Sequence, residues 1–326
     1  MGGSSYSIRS ADAIRSHRIS SYATPAAFKA AVFTSSNAID LKLAPLDVKV
    51  RESCDSDVHP ESNAIIVEFD VTGSMGNIPV MFAQDKLPGL MKMLLTQNTI
   101  PHPQILFAAI GDYFSDSAPF QIGQFESGLE MDDWLTKIYL EGGGGGGNHE
   151  SYLMGLWWMA THTKMDCWEK RGKKAYLFQI GDENYYPTLT AEEIKSVTGE
   201  TIQGDLTADE VVAMAEEKFE IFRICVASGS YHDANLKSWK KLLGQRAIFL
   251  EKPELVCELI ASQIASMEGT DAAGIRKGLT DAGLDPSAFN TIEKSLVPAG
   301  AGRSISKIGT SSEPLPPTSS GGTTRL

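Results

Sequence analysis

The sequence has no apolar run approaching the roughly 20 residues that a helix needs to cross a bilayer. Its first residues, MGGSSYSIRSADAIRSHRISSYATP, are polar and lack the apolar centre of a secretory signal. Cysteine is scarce. Cys54, Cys167, Cys225 and Cys257 stand far apart with no CxxC pair, which fits a reducing compartment better than a disulfide framework. Cys225 and Cys257 fall in apolar stretches and read as small buried side chains. Positive charge is also short: 29 Lys and Arg against 41 Asp and Glu give a net charge of −12. That argues against nucleic acid or an anionic membrane as the main partner and suits a partner with a basic face. The glycine run at residues 142–147 lacks the GK[ST] of a phosphate-binding loop, and it follows a helical stretch where such a loop follows a strand. A cytoplasmic protein is the expectation.

What is present is an alternation. In 326 residues, 42% are hydrophobic and 21% charged, as in a soluble protein with one sizeable α/β domain and some flanking sequence. Short apolar, β-branched runs at 64–69 (AIIVEF), 104–110 (QILFAAI), 175–180 (AYLFQI), 221–227 and 247–250 read as strands buried on both faces. Helical stretches separate them at 79–95, 132–139, 151–166, 207–218, 233–243 and 253–267. Thr207 followed by Glu210 has capping-box spacing. Residues 119–125 (PFQIGQF) read as a short edge strand. The pattern predicts a doubly wound α/β fold, a mostly parallel central sheet with helices on both faces, over residues 60–267. Residues 1–59 form a polar extension in which 39–50 (IDLKLAPLDVKV) reads as one or two edge strands split by Pro45. Residues 268–298 hold one or two short helices. Residues 299–326, rich in Gly, Ser, Pro and Thr, read as a disordered tail.

In such sheets ligands bind at the carboxyl ends of the strands, so the loops there matter most. The first is Asp70-Val71-Thr72-Gly73-Ser74. A carboxylate with hydroxyls two and four residues on can put three hard oxygens on one side of a turn, a set that suits Mg²⁺. Alone, the same residues also read as a helix cap with a turn. The second, residues 141–150 (EGGGGGGNHE), reads either as a flexible connector or as a loop that delivers Asn148, His149 and Glu150 to the start of a helix. There Glu150 would ligate a metal or simply favour the helix dipole. The third places Asp182 after the strand at 175–180. Together, Asp70, Thr72, Ser74, Glu150 and Asp182 can converge on one cation.

The runs IIVEFDVTGSM, GGGGGGNHES and YLFQIGDE, in this order and spacing, resemble the metal-ion-dependent adhesion site of von Willebrand factor A domains. The resemblance covers residues 60–267. It implies a sheet with one short antiparallel edge strand, for which PFQIGQF is the candidate. It implies Mg²⁺, with Mn²⁺ or Ca²⁺ as substitutes, held by Asp70, Thr72 and Ser74, with Asp182 acting through water. Glu150 stands where many members have Thr, as in the branch whose glycine-rich loop ends in Glu, and Asp112 lies near the site. The implied role is a non-enzymatic protein-interaction module, an adaptor or assembly factor working with an AAA+ ATPase of the MoxR type. One alternative is a phosphatase resembling the haloacid dehalogenases, but the acid/base Asp expected two residues after the nucleophile is Thr72 here. Another is a structural domain whose metal site is unused. His149 is expected beside the metal or facing solvent. Of Trp157 and Trp158, one is expected in the core and the other at a surface.

Overall fold

The computed structural model describes residues 5–22, 24–35, 38–83, 87–142, 147–227 and 232–301. The centre of the glycine run and the tail beyond residue 301 lie outside the described residues. In chain order the elements begin with α1 (Ile8–Ser21), α2 (Pro25–Val32), β1 (Arg51–Ser53), β2 (Asn63–Asp70), α3 (Ile78–Met81), α4 (Leu87–Gln97), β3 (Pro103–Ile110), β4 (Phe120–Ile122) and α5 (Glu130–Lys137). There follow β5 (His149–Glu150), α6 (Tyr152–His162), β6 (Thr163–Met165), α7 (Asp166–Glu169), β7 (Ala175–Gly181), β8 (Asn184–Tyr185), β9 (Thr188–Leu189), α8 (Ala191–Thr198), β10 (Leu206–Thr207) and α9 (Ala208–Lys218). The chain continues with β11 (Phe219–Val226), α10 (His232–Leu243), β12 (Ala247–Leu250), α11 (Val256–Met267), α12 (Ala272–Asp281) and α13 (Phe289–Ser295).

Six strands form the central sheet in the order β12-β11-β7-β2-β3-β4. Every neighbouring pair is parallel except β3 with β4, so the antiparallel edge strand is PFQIGQF, as the resemblance implied. Period-2 alternation sorts the side chains between two layers. Ile65, Val67, Phe69, Phe107, Phe178 and Ile224 face one layer with residues of α4 and α11. Ala64, Ile66, Leu106, Leu177 and Cys225 face the other, with residues of α6, α9 and Trp239 of α10. Because both faces are covered, β2, β3 and β7 are buried at every residue, which is why they read as mainly apolar runs. The capping box at α9 is present in both directions, with Thr207 and Glu210 exchanging hydrogen bonds.

Several expectations need correction. Residues 39–50 are turns, and the strand falls just after them, in β1, which pairs in parallel with β6 in a separate two-stranded sheet. Pro45 and the Asp40 side chain, which accepts from Lys42 N, favour turns over a ladder. The extension before residue 60 is not merely polar. Phe28, Phe33 and Leu43 join the same core cluster as the sheet, and Lys92 of α4 pairs with Asp12 at 2.8 Å. The helix expected at 151–166 ends at His162, where the chain turns into β6. Trp157 and Trp158 are both buried, because β6 and α9 cover the side of α6 that would otherwise face solvent.

The segment after α11 packs on the same core through Ile275, Leu279, Phe289, Ile292 and Val297. The buried Gln263 amide ties it down, donating to Val297 O (2.9 Å) and accepting from Val297 N (2.8 Å).

Candidate functional site

The chain enters the sheet at β2, moves outward to β3 and β4, then crosses to β7 and continues to β11 and β12. The direction of winding therefore reverses between β2 and β7, and Asp70 and Asp182 stand at the carboxyl ends of those two strands. A crevice at this switch point is where doubly wound sheets bind ligands.

After Asp70 the backbone tightens into the 3-10 turn Gly73–Met75, which brings the following hydroxyls back over the strand end. Asp70 Oδ1 accepts from Thr72 N (2.8 Å) and Thr72 Oγ1 (2.6 Å). Thr72 Oγ1 and Ser74 Oγ are 3.2 Å apart, and Ser74 Oγ donates to Asp182 Oδ1 at 2.9 Å. Four of the five expected site residues are thus joined in one hydrogen-bonded set. Asp70 is fully buried and Ser74 is exposed, so the set opens to solvent at Ser74.

Glu150 is placed differently. It lies in β5, which pairs with β8 just beyond Asp182 in the chain, so it sits two residues ahead of α6 and not on its first turn. Its side chain is 6% exposed and its Oε2 is buried without a hydrogen-bond partner. Burial, then the carboxylates of Asp70, Asp112, Asp116 and Glu183, push its pKa far up. Burial and then Asp182 raise that of Asp70, and burial with Asp182 and Asp70 lifts Glu183 to about 7. These shifts share one physical origin: several carboxylates crowd a desolvated pocket and penalise each other's charge.

Sequence reading missed the groups that brace the cluster. Tyr152, the first residue of α6, donates its hydroxyl to Asp70 Oδ2. Its ring lies against the Arg223 guanidinium, 3.8 Å from the ring centroid, with Trp239 at 4.4 Å. Arg223 Nη2 and Trp239 Nε1 each donate to Glu183 O at 3.1 Å, and Asn235 Nδ2 donates to Asp182 O at 2.7 Å. Arg223, Gln179 and Glu68 occupy matching registers on β11, β7 and β2 and form a polar row across the middle of the sheet. Gln179 Nε2 links this row to Glu68 Oε2 (2.8 Å) and to Tyr152 O (3.0 Å). Burial lifts Glu68 to about 8. A signal for Glu68 and Arg223 was readable, since each is a charge inside an otherwise apolar buried strand. Nothing in the sequence marked Tyr152.

The donors gathered here are hard oxygens, the kind a divalent cation would take, and one buried Glu150 oxygen has no hydrogen-bond partner. Among the described residues, no group of three or more His, Cys, Asp or Glu side chains is placed to hold a metal by itself. A cation here would lean on Asp70, the Thr72 and Ser74 hydroxyls and water. His149 does not enter the hydrogen-bonded set; its ring stacks on Tyr186 at 5.3 Å.

No protein-family model matches the sequence, and no curated protein does. Among solved structures, the pilus adhesin SpaC of Lactobacillus rhamnosus GG is similar at 10% identity and a TM-score of 0.41, covering 66% of this chain and 32% of the adhesin. The chain thus spans about a third of the adhesin's length. The conserved hypothetical protein BatB of Bacteroides thetaiotaomicron is similar at 15% identity and a TM-score of 0.28, covering 50% of this chain and 66% of that one. An aerotolerance-related membrane protein of Bacteroides fragilis is similar at 12% identity and 0.28, covering 51% and 68%. Scores this low carry no weight for function.

Proposed function

We propose that this chain is a protein-interaction module of the von Willebrand factor A type, which grips its partner through a divalent cation at the end of β2. The observation that carries the reading is the set Asp70, Thr72, Ser74 and Asp182, hydrogen-bonded at the switch point of the sheet, with a partnerless Glu150 oxygen buried beside it. Mg²⁺ is the cation of choice, with Mn²⁺ or Ca²⁺ as substitutes, because every donor is a hard oxygen. When bound, it would supply positive charge and open coordination positions for a partner's oxygen. Asp70 is held in one rotamer by Tyr152 and Thr72, Ser74 positions Asp182, and Glu150 contributes charge. In the proposed module these residues bind and orient; none acts as nucleophile or acid. Thr72 supports this over the phosphatase alternative, because its hydroxyl donates to Asp70 where that chemistry needs an acid for the leaving group. A cytoplasmic setting and an AAA+ ATPase of the MoxR type as partner belong to this proposal through the sequence resemblance alone.

The test is calorimetric titration of Mg²⁺ into the metal-stripped full chain and into Asp70→Ala, paired with capture of partners from native lysate in Mg²⁺ and in EDTA. Saturable binding lost in Asp70→Ala, with a partner retained only by wild type in Mg²⁺, is the expected result. Wild type that takes up no cation, or a partner indifferent to EDTA, overturns the reading.

A further inference from the structure

Beside the candidate metal centre stands a group of aromatic side chains that the metal site does not use. Phe114 is 65% exposed, which is unusual for a phenylalanine in a tied turn. Its ring packs edge-on against Tyr113 (centroids 5.2 Å apart) and against Tyr186 (5.0 Å). Tyr186 in turn stacks on His149. The ladder runs from the loop after β3 to the loop after β8 and to β5.

The turn that carries Phe114 is held rigidly. Asp112 Oδ1 accepts from Phe114 N (3.2 Å) and from the Tyr186 hydroxyl (3.0 Å), and Asp112 Oδ2 accepts from Ser115 Oγ (2.8 Å). Asp116 Oδ2 accepts from Asp112 N at 2.8 Å, in space that a Cβ on Gly111 would invade at 2.8 Å. A fixed, solvent-facing aromatic is what a binding hot spot needs, because little side-chain freedom is lost when a partner covers it.

The electrostatics choose the partner's chemistry. Asp112 and Asp116 lie in the turn that carries Phe114, and Asp112 also accepts from the Tyr186 hydroxyl. Both belong to a chain of net charge −12. An acidic or phosphorylated partner would be repelled. A guanidinium can lie flat on an aromatic ring while its fork reaches a carboxylate, which a compact ammonium does less well.

We propose that this aromatic ladder is the docking surface for an arginine-bearing loop of the protein partner, with Phe114 and Tyr186 stacking on the guanidinium and Asp112 and Asp116 supplying the counter-charge. The inference rests on the reading of this end of the sheet as the partner-binding face, and it names the partner's chemistry there.

The test is an NMR titration of the full chain with three peptides: acetyl-Gly-Arg-Gly-amide, the same peptide with citrulline as a neutral isostere, and the same with glutamate. The arginine peptide is expected to bind about fivefold more tightly than the citrulline peptide, with shifts at residues 112–116 and 186. Phe114→Leu keeps an apolar side chain but no ring, and is expected to erase that preference. Wild type in EDTA is expected to keep it, so failure of the metal reading and failure of this one are told apart. Equal binding of arginine and citrulline, preference for glutamate, or an unchanged preference in Phe114→Leu overturns the proposal.

Discussion

At the scale of single residues, the candidate site depends on side chains that are strained electrostatically and fixed sterically. Glu150 is the clearest case: buried, partnerless at one oxygen and surrounded by other carboxylates. Glu150→Gln removes the penalty of its charge, so the metal-free protein is expected to melt about 2–4 °C higher near neutral pH, a gain that vanishes near pH 4.5. The same change should weaken Mg²⁺ binding at least about tenfold, because an amide brings no charge to the cation. Melting curves in EDTA and calorimetry check both halves, and unchanged Mg²⁺ affinity would remove Glu150 from the site. Gly181 shows the steric constraint. A Cβ there would lie 2.2 Å from the Tyr152 hydroxyl and 2.9 Å from Arg223 Nη2, both fully buried. Gly181→Ala is expected to cost about 1–3 kcal/mol in denaturant unfolding and to shift Tyr152 away from Asp70. A variant as stable as wild type, with an unmoved Tyr152, would show that the pocket has slack.

At the scale of elements, α12 and α13 are part of the core and not an appendage. Five buried apolar side chains of the segment from Ile275 to Val297 each contribute on the order of 1.5–3 kcal/mol by leaving water, and Gln263 depends on Val297 for both of its hydrogen bonds. Native domains are stable by only about 5–15 kcal/mol. A chain ending at Met267, the end of the segment that resembles the family, is therefore expected to lose cooperative unfolding, as read by circular dichroism. If it melts cooperatively at the wild-type temperature, the two helices are accessory. That this segment holds one or two short helices was legible in the sequence. Their docking was not, because nothing local says which surface an amphipathic helix will cover. Residues 1–59 read only as a polar extension, so α1, α2 and the buried Phe28 and Phe33 went unread. Residues 39–50 misled for the opposite reason: their alternation is real, but Pro45 and Asp40 favour turns, and the strand forms just after them, at Arg51–Ser53.

At the scale of the whole molecule, the buried acids should set how stability responds to pH. Burial raises the folded-state pKa of Glu183 to about 7 and of Glu68 to about 8, and lifts Asp70 and Glu150 as well. Above the unfolded carboxylate pKa, the native state then holds more protons than the unfolded one, so stability falls as pH rises. In EDTA the melting temperature is expected to drop from about pH 5 to about pH 8. Mg²⁺ needs the ionised carboxylates, so the melting-temperature rise it produces should be larger at about pH 8 than at about pH 6. Scanning fluorimetry across this range decides it: a metal-free melting temperature that climbs toward pH 8 would contradict the buried-acid picture.

The sequence alone determined the alternation of buried strands and helices, the short edge strand at residues 119–125, the capping box at α9 and the positions of Asp70 and Asp182 at strand ends. Each of these is local, carried by periodicity, by side-chain to backbone hydrogen bonds a few residues apart, or by a motif of known spacing. Tertiary structure alone decided that β2 lies beside β7, which brings Ser74 to Asp182, and that Tyr152 braces Asp70 while Arg223 lies against its ring. It also assembled Phe114, Tyr186 and His149 into one surface. Those contacts join residues tens to more than a hundred positions apart. They follow from how whole layers pack, and no window of sequence reports that.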